Sequence, residues 1–218
     1  MYLKYSLLLN MFFVLFFFLF SVSTAYTPYP IDSNHLDLNN YYHYRQAFNE
    51  SEINRIRLMI NKDSFQTATL SNQCAQKTIR DSDIQWIEDS PKTQWLYQKI
   101  LRLAKQANDA MYQFQLTHIK DTIQFTRYNK GGNYDWHIDL GKGDTAFRKL
   151  SMVMLLSDPL EFEGGALELR LGNMLQTAPL KQRGAVIFFP SYILHRVLPV
   201  ITGTRESLVV WISGYPFQ

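Results

Sequence analysis

His137 and Asp139 stand two residues apart in the segment YDWHIDLG, and the next histidine along the chain, His195, stands in AVIFFPSYILHRVLPV. On a strand, residues i and i+2 project to one face, so Asp135, His137 and Asp139 share a side while Tyr134, Trp136, Ile138 and Leu140 share the other. Taken singly, each piece has a plain reading. The first stretch reads as a half-buried strand with a wet face, and His195 as a core imidazole bonded to a carbonyl, because an unpaired polar group in so apolar a context is costly. Together they form a set of two imidazoles and one carboxylate. That set leaves half an octahedron open on non-haem Fe(II). Ten residues after His195 comes Arg205, and Ser207 follows it at strand spacing. A guanidinium beside a hydroxyl on one face suits a carboxylate ligand. The order and spacing of these residues across successive strands favour a metal site with an anionic co-substrate.

The elements that must carry this set are legible in the periodicity. After Thr117 the apolar pattern repeats every two residues, giving strands at 122–128, 134–140, 150–156, 166–171, 185–189, 195–200 and 205–212, with turn signals such as Asn129-Lys-Gly-Gly-Asn133 and Gly164-Gly165 between them. Ahead of them, Asn49 with Glu52 forms a capping box for a helix carrying Ile53, Ile56 and Ile60. Ser90-Pro91 opens a longer helix whose apolar stripe runs from Ile100 through Leu103, Ala104, Ala107 and Met111 to Phe114. One further strand is expected near residues 41–44. Two helices before a run of short strands predict an α+β fold with a mainly β core, the helices packed on one outer face.

Composition narrows the partners. A chain of 218 residues with 46% hydrophobic content can bury a full core. Its 22 basic and 19 acidic residues leave a formal charge of +3 without a long basic run, which argues against a dedicated nucleic-acid binder. The single cysteine, Cys74, excludes an internal disulfide and a cysteine-based zinc site, so a metal must use His and carboxylate donors. Residues 1–25 have one Lys, an apolar stretch and an exit of small residues ending at Ala25. This pattern fits a secretory signal cleaved after Ala25, or an uncleaved membrane anchor. Either places the remainder in the secretory pathway or outside the cytoplasm. The expected organisation is therefore a leader over 1–25, an arm with supporting helices over 26–118 and a catalytic β core over 119–218.

RYNKGGNYDWHIDLG, EGGALEL and GAVIFFPSYILHRVLPVITGTRESLVVWI resemble, in that order, the Fe(II)- and 2-oxoglutarate-dependent oxygenases, and within them the prolyl 4-hydroxylase-like group. The likeness is specific over the last 90 or so residues. IRDSDIQWI, which taken alone reads as a solvated acidic loop, is similar to a segment ahead of the core in that group. The resemblance implies a double-stranded β-helix, or jelly roll, with the metal near one open end. It makes His137, Asp139 and His195 the iron ligands and Arg205 the anchor for the distal carboxylate of 2-oxoglutarate, with Ser207 and Tyr128 as helpers. It further implies Fe(II), 2-oxoglutarate and O2 as requirements, ascorbate as reductant, and a protein, peptide or small-molecule substrate hydroxylated at an unactivated C–H bond, with succinate and CO2 formed. Collagen-type prolyl hydroxylases place a lysine where this chain has Arg205, so the co-substrate carries over better than the substrate. Two other classes accept part of the pattern. A non-catalytic cupin-like jelly roll explains the three ligands but not Arg205 with Ser207. A zinc hydrolase needs a general base that no acidic residue obviously supplies.

Overall fold

The computed structural model describes residues 41–61, 63–68 and 79–217. The leader over 1–25 and Cys74 lie outside the described residues, and the described ones belong to one compact unit, Asp37–Gln218. Along the chain the elements are β1 (Tyr42–Tyr44), α1 (Glu50–Arg57), β2 (Gln66–Thr67), β3 (Arg80–Asp81), β4 (Asp83–Ile87), α2 (Gln94–Ala107), β5 (Leu116–Ile119), β6 (Ile123–Tyr128), β7 (Asn133–His137), β8 (Arg148–Leu155), β9 (Phe162–Gly164), β10 (Leu167–Leu171), β11 (Met174–Thr177), β12 (Val186–Pro190), β13 (Leu194–Val197), β14 (Val200–Gly203) and β15 (Arg205–Gly214). The larger sheet runs β1-β12-β8-β15-β6-β4-β2, with β5 paired on the far end of β15, and the smaller runs β11-β10-β13-β7-β3. Adjacent strands are antiparallel throughout both sheets. This is the jelly roll expected from the sequence, with two helices against one sheet.

Both helices form for local reasons. Asn49 Oδ1 accepts from Glu52 N at 3.0 Å while Glu52 Oε2 accepts from Asn49 N at 2.9 Å, closing the capping box of α1. Ile53 and Ile56 then fall on its buried face at 0% exposure, each contributing on the order of 2 kcal/mol by leaving water. The second helix begins later than Ser90-Pro91 implied. Thr93 Oγ1 accepts from Ser90 N and donates to Glu88 O, folding residues 90–93 into a turn, so α2 opens at Gln94. Its far end widens into a π turn over Asn108–Tyr112, closed by Gln113 at φ 57 and by two hydrogen bonds between the Asn108 side chain and Phe114. A π turn takes more residues per revolution than an α turn. Met111, placed on the apolar stripe by α-helical spacing, is consequently 41% exposed.

Alternation along the central strands separates two cores. On β8, Leu150, Met152 and Met154 join α1 and α2 in one cluster, as do Leu208, Val210 and Ile212 of β15. On the other side of the same sheet, Val153, Ile187 and Phe189 meet Leu167, Leu169 and Val197 of the smaller sheet. The layers are therefore helix, larger sheet, smaller sheet. Strands before residue 119 enter both sheets: β1, β2, β4 and β5 the larger, β3 the smaller.

Candidate metal centre and its cavity

Strands β7 and β13 pair so that His137 lies opposite His195. Asp139 follows β7 in a loop, and its backbone N–H and that of Leu140 both donate to the Ser191 carbonyl at 2.9 Å. The result is a triad whose ligand atoms all lie within 4.8 Å of one another. His137 Nε2 stands 3.8 Å from Asp139 Oδ1, and His195 Nε2 stands 3.5 Å from Asp139 Oδ2. Each imidazole is aimed by its other nitrogen: Nδ1 of His137 donates to the Asp135 carbonyl and Nδ1 of His195 to the Ile193 carbonyl, both at 2.8 Å. A carbonyl can only accept, so the proton sits on Nδ1 and the Nε2 lone pair points inward, the tautomer a metal requires. Ser151 Oγ donates to Asp139 Oδ2 at 2.6 Å and is itself 3.0 Å from Ser191 Oγ, fixing the carboxylate plane.

The electrostatics agree with a cation between these groups. Burial, with help from His195, lowers His137 to about 3 against the opposing pull of Asp139 and the Asp135 carbonyl. His137 thus keeps its lone pair at any physiological pH. Burial pushes the Asp139 carboxyl up, but His195, His137 and the Ser151 hydroxyl outweigh it and hold the group below its usual range. The Trp211 indole N–H also acts on Asp139, although its nitrogen reaches no acceptor at ordinary hydrogen-bond distance. Two imidazoles and one carboxylate facing a common point are a donor set that fits Fe(II).

The period-two reading of YDWHIDLG needs correction. His137 pairs with His195 but Tyr134 with Val197, so three steps along β7 match two along β13, and β7 carries a bulge. Tyr134 and His137 come to the same side, their rings stacked at 3.5 Å and 13°. Asp135 is turned out to solvent and contributes only its carbonyl. Trp136 lies on the outer face, with the Arg196 guanidinium 4.5 Å from its ring centre.

The triad opens on a cavity of about 470 Å³ between the sheets. Arg205 lines it from β15 at 2% exposure, with Nη1 donating to Ser207 Oγ at 3.2 Å and the guanidinium 5.5 Å from the ring centre of Tyr128, its cross-strand partner on β6. No carboxylate pairs with Arg205 among the described residues. Burial lowers its pKa and Tyr128 opposes this; a guanidinium stays protonated nonetheless. Burial likewise raises the Tyr128 phenol, against the pull of Arg80 and Arg205, so it remains a neutral donor. Room for Arg205 depends on Gly165, which sits at φ +59 and where a Cβ would come within 2.8 Å of Arg205 Cδ. The second glycine of EGGALEL therefore serves the cavity as well as the turn. All six residues singled out in the sequence, His137, Asp139, His195, Arg205, Ser207 and Tyr128, meet around this one space.

Several residues of the site were not singled out from the sequence. Ser151 is a lone hydroxyl at a cavity-facing position of an otherwise apolar run, LSMVMLL, and that isolation was its available signal. Arg148, its Nε on Asp121 Oδ2 at 2.9 Å and its guanidinium 3.8 Å from the Trp211 ring centre, also lines the cavity. So does Gln124, and with it Arg80 and Trp86 of IRDSDIQWI, the segment whose resemblance to the region ahead of the core implied no role for them.

The jelly roll thus brings a His-Asp-His cluster that could hold one metal ion beside a buried arginine. Residues 123–213 match the sequence model of the 2OG-Fe(II) oxygenase superfamily. A PKHD-type hydroxylase of Prochlorococcus marinus is 38% identical over 94 residues, 43% of this chain and 42% of that protein. The match thus spans less than half the length of that relative. A PKHD-type hydroxylase of Thermosynechococcus vestitus is 29% identical over 169 residues, 75% of this chain and 73% of that one. Among solved structures, a prolyl hydroxylase of Trichoplax adhaerens in complex with a hypoxia inducible factor peptide fragment superposes with TM-score 0.68 at 18% identity, covering 83% of this chain and 86% of that one. A Pseudomonas putida prolyl-4-hydroxylase superposes with TM-score 0.62 at 22% identity, covering 80% and 92%. At these identities the structural likeness establishes the fold.

Proposed function

We propose that this protein is a 2-oxoglutarate-dependent hydroxylase in which His137, Asp139 and His195 hold Fe(II), Arg205 with Ser207 and Tyr128 binds the distal carboxylate of 2-oxoglutarate, and a prolyl or similar side chain is oxidised at a C–H bond. The observation that carries it is Arg205: a buried guanidinium that no carboxylate pairs with among the described residues, in the same cavity as the triad. An uncompensated buried charge is expensive unless a ligand supplies the counter-charge. When bound, iron, 2-oxoglutarate and O2 supply the chemistry, oxidative decarboxylation to succinate and CO2 with transfer of one oxygen atom into a C–H bond. The protein's share is positional. The carbonyls of Asp135 and Ile193 aim the two imidazoles, Ser151 fixes the carboxylate, Arg205 orients the co-substrate, and the apolar side chains of Val153, Leu167 and Val209 keep water from the reacting carbon.

Ascorbate as reductant and a leader that directs residues 26–218 out of the cytoplasm belong to the same proposal. Among the described residues no helix is long and apolar enough to cross a membrane. Mass measurement of the mature protein for a terminus at Tyr26 tests the leader. The activity is tested with purified protein, Fe(II) and ascorbate under air. Succinate is expected above the protein-free background, Arg205→Ala should reduce it and Asp139→Ala should remove it. Proline-rich peptides ending in a free proline should then raise the rate and gain one oxygen atom by mass. Succinate without peptide stimulation leaves the oxygenase and removes the prolyl assignment; iron bound without succinate, with or without peptides, favours the non-catalytic jelly roll.

A further inference from the structure

The charged residues lining the cavity are Asp139, Arg148, Arg205 and Arg80, besides the two histidines. Arg148 is paired with Asp121. On the reading above, the dianion of 2-oxoglutarate and the Asp139 carboxylate balance a divalent metal and Arg205. The charge of Arg80 is left over. It is 9% exposed, its Nε donates to the buried Ser82 hydroxyl at 3.0 Å, and no carboxylate pairs with it among the described residues. The carboxyls of Asp81 and Asp83 are adjacent in sequence, yet neither forms an ion pair with it, and Asp83 Oδ2 accepts from Asn129 Nδ2 instead.

The guanidinium of Arg80 is held in place. Its carbon lies 4.5 Å from the Tyr134 ring centre, and the same ring stacks on His137 at 3.5 Å, so Tyr134 is the spacer between Arg80 and a metal ligand. Arg80 stands on the smaller sheet and Arg205 on the larger, which gives the cavity two cationic points on opposite walls. Just past Arg80 the chain crosses to β4 of the larger sheet, whose Ile84 and Trp86 also line the cavity, Trp86 at 40% exposure. One fixed cation beside an aliphatic and an indole surface matches an anion with a small apolar body.

Resting on the oxygenase reading, we propose that Arg80, fixed by Ser82 and Tyr134, seats a carboxylate carried by the primary substrate. The substrate class is then an apolar carboxylic acid, either a free amino acid or the residue at the C-terminus of a peptide, rather than an internal residue of a chain. A guanidinium meets a carboxylate through two parallel N–H bonds and gains little from a neutral amide. Discrimination between acid and carboxamide is therefore the signature of this site.

The test uses the full chain with Fe(II), 2-oxoglutarate and ascorbate under air, and reads the increase in succinate release. The probes are free L-proline, L-valine and L-leucine, their carboxamides, and tripeptides ending in each of these residues with a free or an amidated C-terminus. Acids should stimulate at least tenfold more, in kcat/KM, than the matching amides. Arg80→Gln should bring that ratio to near one, and Arg80→Lys should recover part of it. Stimulation by the free amino acids alone assigns a metabolite, and by the tripeptides alone a chain terminus; both uphold the proposal. Equal stimulation by acids and amides overturns it, as does an Arg80→Gln protein that keeps the parent ratio but needs more 2-oxoglutarate. Succinate released without stimulation by any acid overturns the Arg80 assignment alone. No succinate under any addition defeats the oxygenase reading and takes this assignment with it.

Discussion

On the helix side of the larger sheet, Leu150, Met152, Leu208 and Val210 are wholly buried among carbon atoms; on its cavity side, Ser151, Arg205 and Ser207 are shielded from solvent to within 2% of the same degree. The strands are the same and the burial is the same. What differs is how the buried groups are satisfied. Carbon against carbon is complete within the chain, whereas Arg205 keeps donors that the described protein does not fill. The helix side therefore stabilises the fold, and on the cavity side the remaining donors of Arg205 are open to a ligand. The difference teaches that burial alone does not report what a residue is for; the hydrogen-bond ledger beside it does.

The largest expected effect is on the cavity side. Asp139→Ala should abolish stoichiometric Fe(II) binding while the far-UV circular dichroism stays that of the parent, because β7 and β13 pair without the carboxylate. Full iron occupancy in that protein would remove the triad assignment. Next comes the helix side: Phe188→Ala, at a fully buried position of β12, should cost about 3 to 5 kcal/mol in urea unfolding. Iron affinity of the folded protein should be unchanged, and a parallel loss would show that the two sides are not separable. Arg205→Ala should weaken 2-oxoglutarate by about 1.5 to 3 kcal/mol, read by calorimetry with the metal bound, since a charge-assisted contact is lost. Equal losses of iron and co-substrate there would point to unfolding instead. The smallest effect is at the cap of α1. Asn49→Ala should cost about 1 kcal/mol of stability and leave both ligands untouched.

Hydropathy showed the capped helix and seven of the ten strands from β6 onward because these depend on local spacing; the short strands β9, β11 and β14 it did not mark off. Strands β3 and β4 were hidden for a physical reason. IRDSDIQWI alternates polar and apolar as a solvated edge does, yet Arg80 and Ser82 are buried against a polar cavity, and a polar interior produces the same pattern as bulk water. The same ambiguity surrounded Asp139, and only the partners His195 and Arg205 resolved it. The bulge that brings Tyr134 beside His137 was not legible, since it is a property of the pairing with β13 and not of either strand. The π turn after α2 escaped for a similar reason. It is closed by the Asn108 side chain reaching Phe114, a contact that helical periodicity does not encode.

The turn around Ser191 grips two of the three ligands: its carbonyl takes the N–H of Asp139, and the Ile193 carbonyl two residues on takes Nδ1 of His195. Those ligands are joined only through the long excursion over residues 140–194, which must close before the triad exists, at an entropic cost that grows slowly with its length. An ion bound by all three thus recognises the closed chain and not the open one. By mass action such an ion stabilises the folded protein by RT ln(1 + [M]/Kd), about 2.7 kcal/mol at a hundredfold excess over Kd. Added Fe(II) is therefore expected to slow proteolysis of the protein, a readout independent of any turnover.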